Sequence, residues 1–209
     1  MHHIGVHYGH NATVAVVKNG ELIFCQSEER LNRIKNSTGF PEQTLRYIYD
    51  RVCDPDEVVS ATLSFLYFHT YSNLKQHEFK PFEHGSYLSP GYGMSGFLAG
   101  TKFRWQLAAA KSKFFNKYKR SLQREAHEYF SKSLRLPPDR VGYIDHHQAH
   151  AFSIIPNIDD WGKGLVFTLD GVGDEKCATV SIYKNGKLEL LSEVNHYNSL
   201  GYYYSAITG

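Results

Sequence analysis

Two histidines four residues apart, His146 and His150 in DHHQAHAFSII (145–155), carry the strongest chemical signal in this 209-residue chain. On a helix, positions i and i+4 leave the same face, so both imidazoles can reach one metal ion. Two ligands do not complete a metal site, and the same spacing also suits hydrogen-bonded side chains at a helix start. Asp145 stands where an N-cap belongs, which supports the helix. The preceding VGYI (141–144) reads as a short strand. The pair therefore falls at a strand's C-terminal end, where α/β folds bind ligands. His147 leaves a different face and reads as structural or substrate-facing.

Two glycine turns could supply the rest of a site. In Gly9-His10-Asn11, a histidine stands where it could donate a hydrogen bond or move a proton. In Asp170-Gly171-x-Gly173-Asp174, aspartate could bind a divalent cation or orient a nucleophile, and the glycines would let a phosphate approach the backbone. An ordinary Asp-Gly turn explains the second segment equally well. The cations of Glu28-Glu29-Arg30-x-x-Arg33-x-Lys35 could hold an anionic substrate. Sequence chemistry alone favours a solvated loop or helix start there.

The elements that must position these residues show an internal repeat. ATVAVVKNGEL at 12–22 returns as ATVSIYKNGKL at 178–188, seven identities in eleven at a separation of 166. Each copy follows an apolar run ending in a glycine turn, IGVHYG (4–9) and LVFTLDGVG (165–173). Asn19-Gly20 and Asn185-Gly186 are two-residue hairpin signals. The repeat therefore predicts two β-meanders, at 4–28 and 165–194. Two such meanders with helices suggest an α/β fold of the actin-like ATPase (ribonuclease H-like) kind, its glycine turns facing one another around phosphates. About 140 residues follow the first copy and about 20 the second. This predicts one complete lobe (about 1–160) and the opening sheet of another (about 161–209), in a chain that reads as a fragment, with a naturally short protein as the alternative.

Between the meanders, Pro41 can open a helix over EQTLRYIYDRV, with Leu45, Ile48, Tyr49 and Val52 on one face. VVSATLSF (58–65) predicts a strand. Residues 66–101 are aromatic, glycine-rich and weakly periodic, which predicts a long irregular excursion. From Lys102 to Leu134 the apolar spacing turns helical. Eight Lys/Arg and no acid occur between Lys102 and Arg124. That could be a nucleic-acid surface, but a net charge of only +2 favours the exposed face of an amphipathic helix.

Composition sets outer limits. Hydrophobic content of 42% and charged content of 21% are those of a globular domain. No apolar run approaches the roughly 18 residues of a membrane span. MHHIGVHYGHN lacks the pattern of a secretory signal. Three scattered cysteines, Cys25, Cys53 and Cys177, read as reduced thiols in a cytoplasmic protein. Twelve histidines are the one chemical hint in the composition.

Five motifs in order, GHNATVAVVKNGEL, EERLNRIKNSTGFP, DHHQAHAFSI, LDGVGD and NSLGYYYSAITG, resemble the O-carbamoyltransferases of antibiotic and nodulation-factor biosynthesis. The resemblance covers the chain except roughly 66–135. It implies an actin-like domain related to the tRNA threonylcarbamoyl-transferase family, with iron on a His-x3-His pair. It also implies a further C-terminal domain that makes carbamoyl-adenylate from carbamoyl phosphate and ATP. The carbamoyl group would pass to a hydroxyl of a small-molecule acceptor. By resemblance, His146 and His150 would be metal ligands, His10 would contact the carbamoyl group and Lys35 the anionic intermediate. Gly9, Asn11, Asp170, Gly171, Gly173 and Asp174 would lie on the nucleotide side. A further metal-ligating carboxylate is expected beyond Gly209, so this chain alone would hold half a site. Glu175 and Lys176 depart from the smaller residues expected in that turn. The alternatives are a sugar-kinase-like nucleotide-binding protein and a non-enzymatic module that binds RNA or a protein partner.

Overall fold

The computed structural model describes residues 1–65, 113–157 and 162–208. The expected excursion at 66–101 and the start of the basic stretch, 102–112, lie outside them. Three strands, β1 (His2–His7), β2 (Thr13–Lys18) and β3 (Glu21–Ser27), form the first meander. Asn19 and Gly20 take positive φ of 52° and 87°, as a two-residue hairpin turn requires. A short helix α1 (Glu29–Asn32) and helix α2 (Glu42–Arg51) follow, then β4 (Val58–Leu63), α3 (Lys113–Leu134) and β5 (Val141–Tyr143). The first sheet has the order β3-β2-β1-β4-β5, with β1, β4 and β5 mutually parallel.

One face of this sheet makes the main core. Period-two alternation buries Ile4 and Val6 on β1 and Val14 and Val16 on β2. Leu45 and Ile48 of α2 and Ala126, Phe130 and Leu134 of α3 close over them. The start of α2 is held by a buried acid. Both carboxylate oxygens of Glu28 accept backbone N–H groups, of Gln43 at 3.0 Å and Thr44 at 2.8 Å, and Glu28 also accepts the Thr44 hydroxyl.

Helix α4 (His146–Ile154) leads into the second meander, β6 (Lys163–Gly173), β7 (Lys176–Lys184) and β8 (Lys187–Asn195), an antiparallel sheet in that order. Asn185 and Gly186 repeat the turn, with φ of 50° and 76°. Helix α5 (Leu200–Thr208) follows. The registers of the two meanders match: Ile4 and Val6 pair with Val16 and Val14, and Leu165 and Phe167 pair with Ile182 and Val180. The burial does not match. Leu165, Phe167 and Leu169 are 53%, 63% and 74% exposed, against 2% for both Ile4 and Val6. The opposite face of β6, through Val166, packs on Ala151 and Ile155 near the end of α4.

No helix among the described residues is long and apolar enough to cross a membrane. All three cysteines are free, Cys25 exposed and the other two buried.

Candidate functional site

Helix α4 begins immediately after β5, and both sheets contribute to its start. Asp145 Oδ1 accepts the N–H groups of His147 at 3.0 Å and Gln148 at 3.1 Å, the expected N-cap. Asp174, from the turn between β6 and β7, accepts the His146 N–H at 2.8 Å. Lys176 Nζ lies 2.9 Å from Asp145 Oδ2 and 3.3 Å from Glu193. Burial would raise the Asp145 carboxyl, but its bonds to Lys176 and to the helix N–H groups outweigh that and lower it.

On this helix His146 and His150 do point the same way: their Nε2 atoms are 3.0 Å apart. A third donor joins them from β6. Asp170 Oδ2 lies 2.8 Å from His146 Nε2 and 3.6 Å from His150 Nε2. Burial would push Asp170 up, yet hydrogen bonds from His146 and His150 and the Gly171 N–H hold its carboxyl well below the ordinary range. The same carboxylate raises His150 against the effect of burial.

Two imidazole nitrogens and a carboxylate oxygen packed this closely need a positive charge among them, a proton or a cation. Ligands bonded at about 2.1 Å to a metal sit roughly 3.0–3.4 Å from one another in octahedral or tetrahedral geometry. The three donors have nearly that spacing already. Two histidines and one carboxylate suit Fe2+ or Zn2+. The His146 side chain is 7% exposed, Asp170 29% and His150 51%, so the cluster opens toward solvent on one side.

His146 is fixed on every side. Its Nδ1 faces the Ser64 carbonyl at 3.4 Å, a partner that orients the ring with Nε2 toward the cluster. Phe65 stacks on the ring at 4.5 Å and 13°. Gly173 lies beneath it: a Cβ there would be 1.9 Å from His146 Cδ2. The two glycine turns therefore both lie close to His146, the first by way of Phe65, whose ring a Cβ at Gly9 would approach to 3.1 Å. Gly171 is pressed by Gly201 of α5, whose added Cβ would lie 2.9 Å from the Gly171 Cα. A mostly apolar cavity of about 370 Å³ opens beside Asp170, between Leu169, Cys177 and Leu200.

The turn Gly9-His10-Asn11 is held by a residue that the spacing did not single out. His7 Nε2–H donates to the His10 carbonyl at 2.9 Å, and its Nδ1 meets Ser64 Oγ at 2.8 Å. Burial drives the His7 pKa down to about 4, so it is neutral at pH 7. His10 and Asn11 are exposed. Lys35 is exposed too, on a loop tied to this turn: Ala12 N–H donates to the Ser37 carbonyl and Gly39 N–H to the Gly9 carbonyl. His147 is buried, its Nδ1 2.7 Å from Thr168 Oγ1 on β6.

Residues 2–209 match the family described as carbamoyltransferase N-terminus. The chain belongs to that family. Similarity to individual proteins is distant. This carbamoyltransferase domain is 25% identical over 205 residues to an uncharacterised Methanocaldococcus jannaschii protein, covering 98% of the chain and 29% of the relative. It is 28% identical over 212 residues to an uncharacterised Synechocystis protein, at 96% and 30% coverage. Against Nodulation protein NolNO of Sinorhizobium fredii it is 22% identical over 195 residues, at 93% and 24%. The carbamoyltransferase domain thus spans less than a third of the length of these relatives.

Of the residues that the sequence pointed to, His146, His150 and Asp170 converge. Gly173 and Asp174 serve the same helix. His10, Asn11 and Lys35 share the neighbouring turn and its loop. The sequence marks Asp170 as a candidate cation ligand without joining it to the histidines. Phe65 and His7 carried no spacing signal, because their contacts depend on β1 and β4 lying side by side.

Proposed function

We propose that this domain acts in transferring a carbamoyl group from carbamoyl-adenylate, itself made from carbamoyl phosphate and ATP, to a hydroxyl of a small-molecule acceptor. The observation that carries the reading is the convergence of His146, His150 and Asp170 beside the His10 turn in a carbamoyltransferase chain. These three residues would hold a divalent ion, Fe2+ by the family resemblance, and such an ion supplies Lewis-acid polarisation of oxygen when bound.

The acceptor oxygen attacks the carbamoyl carbon. The bond from that carbon to the AMP phosphate oxygen breaks, and AMP leaves as the anion. We assign the acceptor's proton to His10, whose exposed ring sits on a turn braced by His7 and Asn11. Lys35 is assigned to the phosphate of the adenylate. Gly9, Asn11 and Gly171 are assigned to the nucleotide side. Adenylate formation is assigned to the part of the relatives that this chain does not span.

The test uses full-length protein with carbamoyl phosphate, ATP, Fe2+ and a panel of sugars and other hydroxylated acceptors. We expect AMP release that requires carbamoyl phosphate, and product gaining one carbamoyl group. His150→Ala should abolish transfer. Folded enzyme that carbamoylates no acceptor, while ATP turnover ignores His150→Ala, would replace this reading with a kinase-like one.

A further inference from the structure

The three donor atoms come from two elements, a helix and a strand. His146 and His150 ride on α4, which continues from the first sheet, and Asp170 belongs to β6 of the second. Their convergence depends on how the start of α4 is seated on the second sheet. The turn between β6 and β7 supplies two grips there. Asp174, only 7% exposed, bonds the first backbone N–H of the helix at 2.8 Å. Lys176 Nζ bonds the N-cap carboxylate of Asp145 at 2.9 Å and is steadied by Glu193 at 3.3 Å. These bonds go to the backbone and the N-cap of the helix.

We propose that Asp174 and Lys176 are positioning residues for the donor cluster, seating α4 on the second sheet so that His146 and His150 meet Asp170. This rests on the metal reading given above. A metal site tolerates about 0.5 Å of misplacement. His146, which the Asp174 carboxylate holds by its backbone, is itself a donor, and His150 lies one helical turn further on. An acid at this end is also favoured by the helix dipole, which makes the grip stronger than a neutral one.

The experiment is a Co2+ titration of full-length protein, following visible absorption and equilibrium dialysis, with thermal melts of each metal-free variant. Wild type should bind one Co2+ that His150→Ala loses. Asp174→Ala should weaken binding 10- to 100-fold, the usual effect of removing an outer support, and alter the absorption band. Asp174→Asn keeps an acceptor oxygen and should recover most of the affinity. Lys176→Met, partly exposed and expected to fold, should weaken binding several-fold while the metal-free melt stays near wild type. Unchanged affinity and spectrum in both Asp174→Ala and Lys176→Met would overturn the proposal alone. If Asp174→Ala does not fold, wild-type binding by Lys176→Met overturns it. Co2+ binding indifferent to His150→Ala would overturn the metal reading and this proposal with it.

Discussion

Replacing Gly173 with alanine isolates one contact. Its φ lies outside the left-handed region, so alanine is not excluded by the backbone. The obstacle is His146: the new Cβ would stand 1.9 Å from Cδ2, 2.5 Å from Cγ and 2.9 Å from Cβ of that residue. Ordinary contact begins near 3.4 Å, so the ring must retreat by roughly 1.5 Å. That is most of a metal–nitrogen bond of about 2.1 Å, so His146 would cease to be a ligand. We expect Co2+ affinity to fall at least about 100-fold, about 2.7 kcal/mol, and metal-free stability to fall by about 1–3 kcal/mol from overpacking. Isothermal titration and denaturant unfolding measure the two. In a His146→Gly background, which removes all three clashing atoms, the same substitution should cost little stability. Wild-type cobalt affinity and spectrum in Gly173→Ala would refute the reasoning.

Other expectations follow from the same geometry. Asp170→Asn should lower metal affinity at least tenfold while leaving the far-ultraviolet circular dichroism unchanged; equal affinity would remove Asp170 from the cluster. His7 has a folded pKa of about 4 against about 6.5 unfolded, so the unfolded chain binds more protons between those values. Its contribution, at most about 3 kcal/mol, is present above pH 6.5 and is lost as pH falls toward 4. Urea unfolding of metal-free protein from pH 7 to 4 should show a shallower pH dependence in His7→Asn, and parallel curves would contradict the assignment. Glu28→Ala strips the start of α2 of three hydrogen bonds and should cost about 1–3 kcal/mol, read as a lower melting temperature.

Local rules made much of the architecture legible. The Asn-Gly turns demand positive φ at fixed positions, and both turns have it. The His-x3-His pair needed only the helical period to share a face. Leu45, Ile48, Tyr49 and Val52 share one face by helical spacing; Leu45 and Ile48 are buried, and Tyr49 and Val52 pack partly buried on the same core. What the sequence hid was long-range. Asp170 meets the histidines because β6 passes under α4, and no local pattern encodes that crossing. Gly173 read as room for a phosphate, whereas in the fold that room is filled by an imidazole. Asp174 read as a ligand-facing acid, yet it is buried against a helix end. Glu28 read as part of a solvated charge run and proved to be a buried anchor.

The mismatch in burial between the two registers has a consequence for handling the protein. Leu165, Phe167 and Leu169 form an alternating apolar stripe on β6, an edge strand among the described residues. Such an edge templates pairing with other chains unless something covers it. A polypeptide of residues 1–209 alone should therefore self-associate as its concentration rises. Its sedimentation profile should sharpen toward a single small species when Phe167 is replaced by glutamate.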